Sequence, residues 1–465
     1  MKKIYALIIF LVLLSSTIFG AVATTVNTER DKIKITETVL YGNKSVAEGL
    51  EITSRNCLNY RLFWDTDYTI GNNPLTHTKY SFYSTPYYGE HRKQRYEGVI
   101  SNNNIDQYVL FDTDLSTSEQ EGIQKAYKEL FDSAENGQEK RKTVYLKDYY
   151  DYYPINFSFD LPHTNWTGYE SGYGDVLEGK PYDARYVTEK FREYFKIPVL
   201  DSDTVNIGVI KSDDSHYTTS IDVDDSFDFF TISTVAESKN RCFFSIRKYQ
   251  NKEYDTSFIP GGYGIYSFYY NGGDSASRTG IIADKLETVY SLSKETIVKY
   301  ISLNDDETEL LLFTIENGFS YLTVIDIETM TEIYKFLIDD CYLDFVYEYD
   351  DFIVVDMGDS ISVISVKNNI YSLEYNVQKA SFINEEFQEW YINGMDYKDG
   401  KLALVGNYFS EEGYVSCDFF VSVYDKNGLI YYGIYDNSLD FNRLTHEYRL
   451  NCHPDDITPN RIKWN

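Results

Sequence analysis

The stretch YLTVIDIETMTEIYKF, residues 321–336, sets alternating apolar residues on each side of a short polar turn. Side chains of a strand point to opposite faces in turn, so this alternation describes two half-buried strands joined as a hairpin. The pattern recurs as ISVISVKNNIYSLEYNV from Ile361 and FFVSVYDKNGLIYYGIYD from Phe419. A further strand precedes each copy: TELLLFTIENG, DFIVVDMGDS and KLALVGNYFSEEG. The expected turns lie at Glu316-Asn317-Gly318, Gly358, Asn368-Asn369 and Asn427-Gly428, whose Asn and Gly accept the positive φ of tight hairpins, and at Glu328-Thr329.

Taken at Asp326, Lys367 and Asp425, the copies stand 41 and 58 residues apart, the longer step holding the insertion FINEEFQEWYINGM. Two weaker copies lie upstream, CFFSIRKYQNKEYDTSFI and RTGIIADKLETVYSL, with Gln250-Asn251 and Asp284-Lys285 as their expected turns. A β-repeat of roughly 40 residues is the signature of a propeller blade, which must pack on neighbours to bury its faces. An array of β-sandwiches with similar hairpins is the alternative. The phrase VIDIETMTEIYKF resembles the outer hairpin of quinoprotein-like and YVTN-type propellers, over about residues 205–440. The blades lack the Trp-Asp ending of tryptophan–aspartate repeats and the regular Trp and Gly positions of quinone-cofactor enzymes. The resemblance therefore implies a fold and brings no cofactor with it.

The expected fold is all-β, a propeller of about five to seven blades over residues 140–465, with a β-rich extension over residues 24–139. LEITSRNCLNYRLFWDTDYTIG and THTKYSFYS read as strands. One helix is expected where Ile123, Ala126, Tyr127, Leu130, Phe131 and Ala134 recur at helical spacing, with Ser118 and Glu121 as a capping box. A second, VTEKFREYF, sets Val187, Phe191, Tyr194 and Phe195 on one face and ends before Pro198. Forty-six tyrosines suit half-exposed sheets, because the ring buries one face and the hydroxyl keeps a hydrogen bond.

Residues 1–23 read as an export segment. Lys2 and Lys3 precede the apolar run Ile4–Leu14, and Ala21-Val22-Ala23 has the form of a signal-peptidase site. Retention of Ile4–Ala23 as a membrane anchor is the alternative. Either way the rest of the chain is expected outside the cytoplasm, secreted or at the cell surface, since the lysines hold the N-terminus inside. A formal net charge of −30 repels phosphate backbones and anionic lipid, so nucleic acid is not an expected partner. Contact with a membrane is expected only through the N-terminal segment. Cys57, Cys242, Cys341, Cys417 and Cys452 are widely spaced with no C-x-x-C, which writes neither a zinc site nor a redox motif. Abundant Asn, Ile, Lys and Tyr with nine prolines fits a bacterial, AT-rich source.

No catalytic, cofactor-binding or metal-ligating residue is assigned from the sequence. His77, His91, His163, His216, His446 and His453 form no H-E-x-x-H, and no G-x-S-x-G elbow occurs. PGGYGIYS around Gly262 lacks the lysine and following helix of a phosphate loop and reads as a turn. Asp222, Asp224, Asp225 and Asp228 follow strand alternation, while Asp436, Ser438, Asp440 and Glu447 match calcium-loop positions with Phe441 where Gly is required. Both read as solvated acidic turns. The basic run His91, Arg92, Lys93 and Arg95 reads as an exposed loop, and Tyr149, Tyr150, Tyr152 and Tyr153 as strand packing or a sugar platform. The functional expectation is an exported binding or scaffolding module for an unidentified protein or glycan at the cell surface. An extracellular propeller enzyme, glycan-active or oxidising, and an anchored sensor are the alternatives.

Overall fold

The computed structural model describes residues 2–30, 35–58, 62–71, 75–82, 96–101, 122–153, 155–161, 164–166, 183–211, 217–222, 230–232, 234–238, 240–248, 254–270, 281–387, 389, 392–408, 418–437 and 459–464. The expected turns at Gln250-Asn251 lie outside them. The chain divides into two compact units, Lys93–Phe345 and a second made of Met1–Arg92 with Val346–Asn465. The fold is all-β with few helices, built from antiparallel meanders of the β-propeller type.

The stretch 321–336 lies in one such meander: Ile297–Leu303, Glu309–Glu316, Phe319–Asp326 and Thr331–Asp339, paired in chain order. Its two middle strands are buried on both faces, Leu310–Ile315 and Leu322–Ile325, which explains why their apolar runs are nearly continuous. Asn317 and Gly318 turn the first hairpin with φ of 53° and 90°. The next turn is held from Asp326, whose Oδ1 accepts from the Thr329 amide and hydroxyl, both at 2.7 Å. Those two donors hold the Asp326 carboxyl below its usual range.

The same logic builds Phe345–Glu348, Phe352–Asp356, Ser360–Lys367 and Ile370–Gln378, with Asn368 and Asn369 at φ of 52° and 60° between the last two. Residues 392–437 supply a third run, Ile392–Lys398, Lys401–Asn407, Phe419–Asp425 and Gly428–Asn437, turned at Asp399-Gly400 and at Lys426-Asn427.

One expected turn is not a turn. Asp284 and Lys285 lie inside the continuous strand Ile281–Ser291, where the ladder to Gly264–Tyr270 shifts register between Ser267 and Tyr269. A polar pair displaced by a bulge has the same local signature as a hairpin tip. PGGYGIYS does turn, through a bond from the Gly262 amide to the Ile259 carbonyl, and leads into a strand.

In the Lys93–Phe345 unit, helices Gln124–Asp132 and Asp183–Tyr194 share one core with strands 139–145, 156–161, 204–211, 241–248 and 264–270. Val187, Phe191 and Phe195 are fully buried, as the spacing requires. The first helix starts differently from the expected capping box. Its N-cap is Ile123, without a side-chain cap, and the Ile123 amide donates to the Tyr150 hydroxyl at 3.1 Å. Ser118 and Glu121 lie outside the described residues.

The other unit joins the two ends of the chain twice. Strand Ile35–Gly42 pairs with Gly428–Asn437 and makes the third run a five-stranded sheet. Strand Pro459–Trp464 pairs with Leu50–Leu58, the start of a meander that continues through Leu62–Thr69 and Leu75–Phe82. Ala47, Leu50, Ile52, Tyr68 and Ile70 pack in one cluster with Ala403, Val405, Phe419, Val421, Val423, Tyr431 and Tyr435. Glu37 closes the seam: its Oε1 accepts from the Tyr431 hydroxyl at 2.8 Å, and its carboxylate pairs with Lys44. Residues 35–70 thus complete sheets and a core shared with residues after 392.

Candidate functional site

The residues singled out from the sequence do not converge among the described residues. His91, His163, His216, His446 and His453 lie outside them, as do Arg92, Lys93 and Arg95, and Asp224, Asp225 and Asp228. Ser438, Asp440 and Glu447 lie outside as well, and Asp436 is exposed at the end of its strand. The tyrosine cluster is drawn into packing. The Tyr153 hydroxyl donates to buried Asp203, Tyr150 accepts from Ile123, and Tyr152 sets its edge against Phe258 at 6.0 Å.

A different group comes together between residues 356 and 424. Asp356 ends its strand, Lys379 follows the strand Ile370–Gln378, and Glu389 precedes Ile392–Lys398. Tyr424 lies on Phe419–Asp425. All four are nearly or wholly buried: Asp356 6%, Lys379 7%, Glu389 2% and Tyr424 0% exposed. The Lys379 ammonium meets Asp356 Oδ1 at 2.7 Å. Glu389 accepts from the Tyr424 hydroxyl at 2.7 and 2.8 Å and from the Ala380 amide at 3.0 Å. One cation thus stands beside two carboxylates in a closed interior. Burial drives the Glu389 carboxyl above its ordinary range, against the lowering effect of its donors and of Lys379. Sequence reasoning missed the group because its members are scattered in four segments with no spacing motif.

The group fixes a short loop. Glu389 and Tyr424 both bond the Ala380 amide, at the start of the helix Ala380–Ile383. Phe387 anchors the other end, stacked on Tyr432 at 4.6 Å. Between these anchors Phe382, Ile383, Asn384, Glu385 and Glu386 are all exposed, Phe382 at 56% and Ile383 at 48%. Two apolar side chains and two acids are therefore held out to solvent on a pinned backbone. Such an arrangement suits contact with a partner, because little loop entropy remains to be lost on binding. The buried acid does not itself reach a ligand.

The ionisation of Glu389 gives a measurable consequence. A carboxyl raised in the folded state contributes its stability fully below its ordinary value, about 4.5. That contribution is lost as pH rises through the folded value. Replacement Glu389→Gln removes the effect, so urea unfolding at stepwise increasing pH should show the difference in stability moving steadily in favour of the variant. A difference independent of pH would contradict a buried, elevated carboxyl.

No family model matches the chain, and no curated protein matches it. Among solved structures it is similar to the β-propeller domain of Cps50 (Swd1) from Myceliophteria thermophila, at 11% identity over 49% of this chain and 82% of that one, TM-score 0.24. A protein from Lactobacillus plantarum matches at 10% identity over 48% of this chain and 62% of that one, TM-score 0.26. Hsv2 of Kluyveromyces lactis matches at 13% over 40% and 42%, TM-score 0.22. The chain spans less than two thirds of the length of the last two. The fold class rests on the meanders themselves.

Proposed function

We propose that the chain is an exported binding module of the propeller type, acting at the cell surface through the loop Phe382–Glu386. The helix Lys2–Arg30 carries the export part of this reading. Tyr5, Leu7 to Leu14, Ile18 and Phe19 are all exposed along it, so the chain leaves this apolar surface uncovered. Export machinery that removes the segment, or lipid that receives it, resolves that exposure. Among the described residues no helix is long and apolar enough to cross a membrane. The uninterrupted run Ile4–Leu14 has the length of a signal-peptide core. The segment is removed after Ala23, and the partner is a protein or glycan. The loop supports the binding part, since it holds Phe382 and Ile383 away from the core on a fixed backbone.

One experiment reads both parts. Cells making the full chain with a photo-crosslinking phenylalanine analogue at position 382 are fractionated after irradiation, with the analogue at position 370 as an exposed control. The expected chain lies outside the cytoplasm, begins near Thr24 and carries adducts specific to position 382. A chain retaining Lys2 in the cytoplasm removes the export reading. Identical adducts at both positions remove the loop as the contact.

A further inference from the structure

The charge on the loop Phe382–Glu386 narrows the chemistry of what it meets. Glu385 and Glu386 are exposed, and neither is in an ion pair among the described residues. Lys379, the nearest lysine along the chain, is buried and bound to Asp356 at 2.7 Å, so it does not neutralise them. Asn384, the loop's one uncharged polar side chain, is turned to its own backbone, where its Oδ1 accepts from the Glu386 amide at 3.0 Å. The loop therefore presents two apolar side chains and two carboxylates with no cation of their own. Apolar surface continues past its inner anchor. Phe387 makes a T-shaped contact with Tyr41 at 6.2 Å, and Tyr41 is 44% exposed beside exposed Val39 and Leu40.

Interfaces between proteins set apolar side chains at the centre and charge at the rim. Ile383 offers a sugar neither a hydrogen bond nor an aromatic face. The field of a chain carrying −30 draws in cationic surfaces and repels acidic ones, anionic glycans and a second copy of this chain included. We infer, resting on the reading of this loop as the binding contact, that its partner is a protein with an apolar pocket for Phe382 and Ile383, edged by Lys or Arg side chains that meet Glu385 and Glu386. Tyr41 lies at the margin of the same contact. The pinned backbone keeps the cost of ordering low, and the opposed charges speed encounter and fix the register of docking.

The full chain with the photo-crosslinking phenylalanine analogue at position 382, irradiated in cells, tests the inference when the mass added at that position is read after digestion. The expected addition is a peptide of another protein. Glu385→Lys combined with Glu386→Lys opposes like charges at the rim, and adduct yield should fall by about tenfold or more while thermal unfolding of the chain is unchanged. Glu328→Lys, the same reversal at an exposed turn of the Lys93–Phe345 unit, should leave the yield as it was. Glu385→Gln combined with Glu386→Gln should give a smaller loss, and it serves should the lysine pair unfold. A glycan mass at position 382, a peptide from a second copy of this chain, or a yield indifferent to charge reversal overturns the inference and leaves the loop as the contact. Absence of any adduct specific to position 382 removes the loop reading, and this inference with it.

Discussion

A chain beginning at Lys140 is expected not to fold, although the repeat pattern alone places every blade beyond that point. Such a chain lacks Ile35–Gly42, so Gly428–Asn437 becomes an edge, and it lacks Leu50–Leu58, so Pro459–Trp464 has no ladder. It also loses Leu50, Ile52, Tyr68 and Ile70 from the cluster with Val421, Val423, Tyr431 and Tyr435. At about 2 kcal/mol for each large apolar side chain the loss is roughly 8 kcal/mol. That is comparable with the whole stability of an ordinary domain, about 5–15 kcal/mol. Tyr431 and Tyr435 would lose the Glu37 carboxylate that now accepts from both, at 2.8 and 3.4 Å, and keep only the bond between their own hydroxyls. Circular dichroism in the tyrosine region should show no cooperative transition for this chain. Removal of residues 2–23 alone should leave the transition in place. Cooperative melting of the chain from Lys140 would mean that the seam contributes little.

The second large effect is expected within the hairpin 319–339. Val324 is fully buried and lies opposite Leu311 on one side and Tyr334 on the other. Val324→Asp places a carboxylate there without a partner, a change of about 3–5 kcal/mol. Glu328 is exposed in the turn, and Glu328→Lys should change stability by about 0.5 kcal/mol or less. Val363→Asp, at a fully buried position of the next meander, and Lys367→Glu, at an exposed one, should show the same contrast. Chemical denaturation of the four variants measures it. Equal damage at turn and strand positions would remove the register on which the meanders stand.

What could be read from the chain divides along a physical line. Hairpins at Asn317-Gly318, Asn368-Asn369 and Gly428 were legible because positive φ restricts the residues that a tight turn admits. Phe319–Asp326 and Ser360–Lys367 were legible as strands from their apolar runs between turns, but alternation implied one buried face where both faces are buried. The pairing of Ile35–Gly42 with Gly428–Asn437 was not, since a ladder between strands nearly four hundred residues apart leaves no local signal. Asp284-Lys285 misled for the opposite reason, a local signal without the turn. The Asp356, Lys379, Glu389 and Tyr424 group belongs with the seam. Each of its residues looks like an ordinary surface or strand residue until four segments are folded against one another.

The central claim is that the two ends of the chain complete the same sheets. Native-state hydrogen exchange, read by mass spectrometry on peptides covering 35–42, 50–58 and 428–437, tests it most directly. The ladder-bonded amides in all three peptides are expected to exchange slowly and to open together, as parts of one cooperative unit. Exchange of 35–58 at the rate of an unfolded chain, while 428–437 stays protected, would contradict the seam.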